Sequence, residues 1–221
     1  MIEIFQQYIE SGQDFTFTKF GDGEIICMLN RYTDGDTNCD KQSYSRELSD
    51  GLWEASKFFS RKHQVHIGKW EDIFALEFDN ELRRRRIELN YVPYATLLHI
   101  DSNDLNKVKS FYQAVSKRKD KVYICPEKLN KAQSFLDCDI INVKENEAFS
   151  DYQSIKQQLL SSDYKIFMYS AGLMSKVLIA DVLREKCNTT HLDIGSGLDN
   201  VFGGITRSFQ VEKEKIKELY D

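Results

Sequence analysis

The sequence predicts an α/β fold, a Rossmann-like sandwich in which helices flank a mainly parallel central sheet. Short apolar segments of strand character alternate along the chain with amphipathic segments of helical periodicity. The connections between successive strands have the length of a crossover helix, which parallel pairing requires. The 221 residues contain no Pro-, Gly- or Ser-rich linker, so we expect one domain over residues 1–221.

The predicted strands share alternating or continuous apolar residues, and most of them end at a glycine, a proline or a polar turn. The first strand alternates phenylalanine with threonine and runs directly into the turn GDGE. A proline stops the fourth strand, since it cannot donate to a sheet ladder. In chain order, the predicted strands cover residues 15–20, 65–68, 91–98, 121–125, 139–143, 164–169 and 190–194.

The predicted helices repeat apolar residues at intervals of three and four, which places these residues on one face. The first helix, residues 2–9, carries Ile2, Phe5, Tyr8 and Ile9 on that face, and Ser11-Gly12 follows as a stop signal. Residues 205–221 are interpreted as a C-terminal tail, in which residues 212–221 alternate charges on a short solvated helix. In chain order, the other predicted helices cover residues 24–29, 44–59, 73–82, 105–115, 129–135, 152–160 and 174–186.

Charge and cysteine content argue against several classes of function. The chain has 30 Lys and Arg against 35 Asp and Glu, so it lacks the basic footprint of a nucleic-acid-binding protein. No window approaches the ~20 apolar residues of a membrane span, and the N-terminus does not resemble a signal peptide. We therefore expect a soluble, cytoplasmic protein, and the sequence is compatible with an oligomer. The five cysteines include no C-x-x-C pair, which favours reduced thiols over disulfides or a zinc site.

The turn after the first strand is the strongest candidate site. Parallel sheets bind ligands beyond the carboxyl ends of their strands, and Asp22-Gly23-Glu24 follows such an end. Two carboxylates one residue apart suit a hard divalent cation that also grips a diphosphate, and Lys19, Gly21 and Gly23 complete the segment. The alternative is a surface turn in which Asp22 caps a helix beginning at Glu24.

Two further positions are candidates for ligand contact. Ser170-Ala171-Gly172 connects a strand to an apolar helix, and backbone N–H groups at such a helix start bind phosphate. The alternative is that Gly172 only permits close packing. Trp70 follows the second strand and is a candidate for stacking on a base or a sugar.

The segment L-D-I-G-S-G at residues 192–197 taken alone is similar to the first motif of S-adenosylmethionine-dependent methyltransferases. In that fold several strand-helix units follow the glycine loop, whereas only 24 residues follow Gly197 here. The position therefore disfavours a methyltransferase. On the other interpretation, Asp193 lies at a strand end beside a nucleotide or an acceptor.

Four segments together resemble the GT-D class of glycosyltransferases over nearly the whole chain. They are K-F-G-D-G-E at 19–24, E-N-E-A-F-S-D-Y at 145–152, Y-S-A-G at 169–172 and L-D-I-G at 192–195. The class has R-[FY]-G-D-G-E, N-A-F, G-P-T-A and D-I-G-H in the same order. Lys19 stands where the class usually has arginine, Ser170-Ala171-Gly172 replaces G-P-T, and Ser196 replaces histidine.

The resemblance implies a GT-D-like fold, sugar transfer from a nucleotide donor, and a divalent metal held with the donor diphosphate by Asp22 and Glu24. The resulting hypothesis is a metal-dependent glycosyltransferase that uses a UDP-sugar, Mn²⁺ or Mg²⁺, and a glycan or glycoconjugate acceptor. Asp193 is the candidate carboxylate near the acceptor hydroxyl. Two alternatives stay open: the methyltransferase, and a non-catalytic module that binds carbohydrate or protein.

Overall fold

A computed structural model describes residues 1–33, 35–38, 41–69, 74–92, 96–99, 105–145 and 148–203. Trp70 and the predicted tail 205–221 lie outside these residues. No helix in the described ranges combines the length and the apolarity needed to cross a bilayer.

The described residues form eight α-helices and seven strands that alternate along the chain, as the sequence predicts. The strands are β1 Thr16–Lys19, β2 Val65–Gly68, β3 Tyr91–Val92, β4 Lys121–Cys125, β5 Asp139–Asn142, β6 Ile166–Tyr169 and β7 Thr190–Asp193. The helices are α1 Ile2–Ser11, α2 Asp22–Met28, α3 Arg46–Phe59, α4 Ala75–Arg84, α5 Leu105–Ser116, α6 Ala132–Leu136, α7 Tyr152–Ser161 and α8 Met174–Glu185.

The seven strands form one sheet in the order β3-β2-β1-β7-β6-β4-β5, and every described pair is parallel. The first strand therefore pairs with the last one: Thr16 lies opposite His191, and Phe17 lies opposite Leu192. Because all strands run the same way, their carboxyl ends meet at one edge of the sheet. The ends of β1 and β7 lie side by side in the middle of that edge.

Helices cover both faces of the sheet, so the α/β sandwich with a parallel central sheet is confirmed. One apolar cluster joins the sheet to α2, α3, α4, α7 and α8, and the other joins it to α1, α5 and α6. Burial on both faces explains why the central strands are buried at nearly every position, including Thr16 and Thr18 of β1.

Most elements differ from their predicted bounds by one or two residues, and three differences are larger or concern the candidate site. Residues 96–98 of the predicted strand 91–98 form a turn, which the His99 N–H closes on the Thr96 carbonyl at 2.9 Å. The predicted helix 129–135 is divided into a 3₁₀ turn at Glu127–Leu129 and α6. Helix α2 begins at Asp22 and not at Glu24. Short apolar runs do not distinguish a strand from a buried turn, because Leu97 and Leu98 are buried in either case.

Candidate functional site

A cavity of about 340 Å³ opens at the carboxyl edge of the sheet, where a Rossmann-like fold is expected to bind its ligands. The loops that follow β1, β4, β6 and β7 all contribute to its wall. The sequence-predicted residues that line it are Lys19, Gly21, Asp22, Gly23, Glu24, Ser170 and Gly172. Segments more than 140 residues apart in the chain therefore meet at one site.

The Asp22-Gly23-Glu24 triplet forms the first turn of α2, and its two carboxylates have different surroundings. Asp22 is exposed, and its Oδ1 accepts a hydrogen bond from the Gly23 N–H at 2.8 Å. Glu24 is only 7% exposed, and its Oε2 reaches back to the Gly21 N–H at 2.9 Å. Glu24 therefore makes the side-chain half of a capping box, whereas Asp22 faces the cavity.

A buried lysine joins the acidic turn to the end of β7. The Lys176 ammonium on α8 lies 2.5 Å from Glu24 Oε1 and 3.0 Å from Asp193 Oδ2. The Thr18 hydroxyl donates a third contact of 3.0 Å to the same Asp193 oxygen. The cluster thus connects β1, α2, α8 and β7 through polar side chains that are almost completely removed from water.

The two carboxylates keep Lys176 charged despite its burial. Burial by itself would lower the pKa of the ammonium, but Asp193 and Glu24 outweigh this effect and hold the pKa above its usual range. With one ammonium and two carboxylates, the cluster carries a net charge of about −1. The other oxygen of Asp193, Oδ1, is buried and has no hydrogen-bond partner among the described residues.

Asp193 does not occupy the position expected of a group that acts on an acceptor. Its side chain is fully buried, and it does not line the cavity. Its described partners are Lys176 and Thr18. The structure therefore places this carboxylate behind the wall of the cavity, where it holds Lys176.

Lys19 contacts a histidine that the sequence analysis did not select. Its Nζ lies 2.8 Å from His99 Nε2 and donates to the Ile194 carbonyl at 3.2 Å. Since an ammonium can only donate, Nε2 of His99 is the acceptor of this contact. A Cβ at Gly195 would lie 2.6 Å from Lys19 Nζ, and Gly195 has φ of 58°, so the glycine of L-D-I-G makes room for the lysine of K-F-G-D-G-E.

The turn at Ser170-Ala171-Gly172 already uses most of the amides predicted to bind phosphate. The Ser170 N–H bonds Ile124 O at 2.8 Å, and the Ala171 N–H bonds Ser175 Oγ at 3.2 Å. The Leu173 N–H bonds Gln42 Oε1 at 3.1 Å. A phosphate at this helix start would therefore have to displace the Gln42 side chain, and the predicted role of these residues remains a prediction.

We expect Gly172→Ala to lower the free energy of unfolding by about 2–3 kcal/mol, from left-handed backbone strain and one lost hydrogen bond. Gly172 has φ of 58°, and a Cβ there would lie 2.0 Å from Gln42 Oε1. Gly35→Ala is the matched control, because Gly35 has φ of 93° with nothing within 4 Å of its Cβ position. Urea denaturation measures both variants, and equal losses would show that the Gln42 contact contributes nothing.

The contributors to the cavity that sequence reasoning missed include Gln42, His99 and Lys176. Only Lys176 had a recognisable signal, because it is a lone charge at the start of an apolar helix, and lysine is rarely buried without a partner. Gln42 lies in a polar loop and His99 in a turn, so neither is distinguished by its local pattern. Only the tertiary structure shows that Gln42 and His99 lie at the cavity.

Comparison with known proteins identifies the fold. The chain matches no protein-family profile and no curated protein. It is similar to two solved structures of the domain of unknown function 1792, one of them of the selenomethionine-substituted protein. Each has a TM-score of 0.61 at 15% identity and covers 95% of this chain and 83% of its own. The domain is described as having a distinct glycosyltransferase fold.

The fold of this chain is glycosyltransferase-like. The similarity extends over nearly the whole chain, and at 15% identity it establishes the architecture alone. The part of the sequence-based resemblance that concerns a glycosyltransferase fold is thus confirmed, whereas the GT-D class remains a prediction. The identities of the donor, the acceptor and the metal ion remain proposals.

Proposed function

We propose that this chain is a glycosyltransferase of the GT-D class that transfers a sugar from a UDP-sugar to a hydroxyl of a glycan or glycoconjugate. The observation that carries the proposal is the convergence of K-F-G-D-G-E, Y-S-A-G and L-D-I-G on one cavity at the carboxyl edge of a glycosyltransferase-like fold. These segments come from β1, β6 and β7, which are neighbours in the sheet although they are distant in sequence.

We propose that the donor diphosphate binds beside Asp22, together with Mn²⁺ or Mg²⁺. Mg²⁺ typically takes one or two carboxylates and completes its shell with substrate phosphates and water, and the exposed Asp22 fits this role. We propose Asp22 over Glu24, since the Lys176 ammonium already lies against Oε1 of Glu24 and the Gly21 N–H bonds its Oε2. When bound, the cation supplies neutralisation of the charge that develops on the departing diphosphate.

The chain's own residues arrange the rest of the donor site. The capping contact of Glu24 holds the GDGE turn at the start of α2, and this contact sets the direction in which Asp22 faces. Lys19 supplies a positive charge at the cavity wall and contacts Nε2 of His99. Preorganised charges of this kind lower the barrier because they require no rearrangement as charge develops.

The acceptor hydroxyl meets a different carboxylate from the one that the sequence indicated. Asp193 lies behind the cavity wall, whereas Asp199 and Glu145 line the cavity. Glu145 pairs with Lys128, and both of these side chains are partly exposed. Asp199 lies in the segment that follows β7, and we propose that this cavity-lining carboxylate is nearest to the acceptor and that Asp193 positions Lys176.

A donor screen that measures released nucleotide, with and without a chelator, tests the function. We expect release with a UDP-sugar and divalent metal, and we expect Asp22→Asn to slow it by about 10²–10³-fold, the usual cost of removing one preorganised electrostatic group. Asp50→Asn is the matched control, because this side chain on α3 is 73% exposed and lies outside the cavity. It should retain the wild-type rate.

The wild-type protein and the Asp22→Asn variant also distinguish the proposed function from its alternatives. Thermal stabilisation by S-adenosylmethionine but not by UDP with Mn²⁺ would support a methyltransferase. Binding of UDP without product, across a panel of donors and acceptors, would indicate a non-catalytic module. Full activity of a folded Asp22→Asn variant would contradict the proposed donor site.

A further inference from the structure

The two carboxylates of the D-x-E pair have different surroundings in this chain. Asp22 is exposed at the cavity, whereas Glu24 is 7% exposed and directed at the Lys176 ammonium. Two carboxylates that share one metal ion must both present oxygens to it. Here both oxygens of Glu24 are already bonded, Oε1 to Lys176 at 2.5 Å and Oε2 to the Gly21 N–H at 2.9 Å.

Lys176 is a buried ammonium at the cavity wall, and its surroundings indicate that its charge serves the site. Its side chain is 4% exposed, it lines the cavity, and it has two carboxylate partners within 3.0 Å. A buried ammonium costs several kcal/mol to desolvate, and its ion pairs often only offset this cost. An apolar residue at this position would continue the apolar face of α8. The lysine is therefore better explained by the charge that it brings to the site than by stability.

We propose that Lys176 is a positioning residue that withholds Glu24 from metal binding, so that Asp22 is the D-x-E carboxylate that receives the divalent cation. The inference rests on the proposed donor site and assigns separate tasks to its two carboxylates. Asp22 binds the cation, whereas Glu24 and Asp193 hold the ammonium at the cavity wall. Lys176 also lowers the negative charge that a diphosphate meets there, from about −2 to about −1.

Binding of Mn²⁺ alone, followed through the electron paramagnetic resonance signal of the free ion, separates the two carboxylates. We expect Asp22→Asn to weaken Mn²⁺ binding at least about tenfold, because it removes the proposed carboxylate ligand. Glu24→Gln should weaken Mn²⁺ binding far less, by no more than about threefold, since it removes a nearby negative charge but no proposed ligand. Glutamine preserves the size of the side chain, so this variant also controls for packing.

Removal of the Lys176 ammonium should strengthen Mn²⁺ binding. Lys176→Met releases Glu24 to join Asp22 and removes a nearby positive charge, so we expect Mn²⁺ to bind roughly tenfold more tightly. The double variant Glu24→Gln/Lys176→Met should lose this gain, which completes a double-mutant cycle. A lysine that served only to stabilise the fold would give weaker or unchanged Mn²⁺ binding when it is removed.

Several outcomes would overturn the inference. It is contradicted if Glu24→Gln weakens Mn²⁺ binding as strongly as Asp22→Asn, if folded Lys176→Met binds Mn²⁺ no more tightly than wild type, or if no variant binds Mn²⁺. If Lys176→Met does not fold, the comparison of Glu24→Gln with Asp22→Asn decides the question. The assay contains neither donor nor acceptor, so its result is independent of whether the chain transfers a sugar.

Discussion

Lys176→Met is expected to lower the free energy of unfolding by about 3–5 kcal/mol, the usual cost of removing one partner from a buried ion pair. The variant leaves Glu24 and Asp193 without their shared cation, and neither carboxylate is more than 9% exposed at its side chain. Chemical denaturation near neutral pH measures the loss. A folded domain typically has 5–15 kcal/mol of stability, which is about enough for the variant to remain folded.

Lys128→Met is the control for this prediction. Lys128 also lines the cavity and pairs with Glu145, but its side chain is 30% exposed and that of Glu145 is 47% exposed. A pair in contact with water contributes about 0–1 kcal/mol, so the control should lose little. The triple variant Lys176→Met/Glu24→Gln/Asp193→Asn should recover part of the loss, because it leaves no buried charge. Similar losses for Lys176→Met and Lys128→Met would contradict the buried ion-pair assignment.

The protein is expected to lose about 2 kcal/mol of stability between pH 7 and pH 5 through His191 alone. This ring is fully buried, and burial lowers its pKa from 6.5 to about 3. It contacts the Tyr169 hydroxyl at 3.0 Å and the Thr189 hydroxyl at 2.9 Å. In the unfolded chain the ring takes up a proton near pH 6.5, but the folded protein excludes that proton until about pH 3. Stability is therefore complete above about pH 6.5 and falls as the pH is lowered.

His191→Phe tests this pH dependence. The ring of His191 stacks on Phe167 with centroids 5.1 Å apart, so phenylalanine retains the stacking but does not titrate. The variant should be less stable than wild type at pH 7, because Tyr169 and Thr189 lose a partner, and its stability should fall less between pH 7 and pH 5. His63→Gln is the control, because that exposed side chain meets water in both states. An unchanged pH dependence in His191→Phe would contradict the prediction.

Much of the fold could be predicted from local patterns. Apolar periodicity predicted the alternation of strands and helices, and the length of each connection predicted parallel pairing. Local patterns did not predict where Leu97 and Leu98 lie, because a buried turn and a buried strand use the same apolar residues. They also did not indicate that the first strand pairs with the last.

The candidate site could be predicted only in part. The sequence indicated the segments around Asp22, Ser170 and Asp193, because each follows a strand and all such ends share one edge of a parallel sheet. It assigned Asp193 to the acceptor, but a strand-end carboxylate can face the cavity or lie behind its wall. The register of β7 against β1 and the packing of α8 decide between these positions, and here they bury Asp193 against Lys176.

The sequence by itself determined the α/β class, the acidic turn at Asp22 and the sheet edge at which this turn lies, because these depend on periodicity and local turn chemistry. Only the tertiary structure decided the partner of each charge. Glu24 and Lys176 are 152 positions apart, and their contact of 2.5 Å exists because β1, β7 and α8 pack together. A charge partner is set by distance and burial, and neither quantity is encoded in a local pattern.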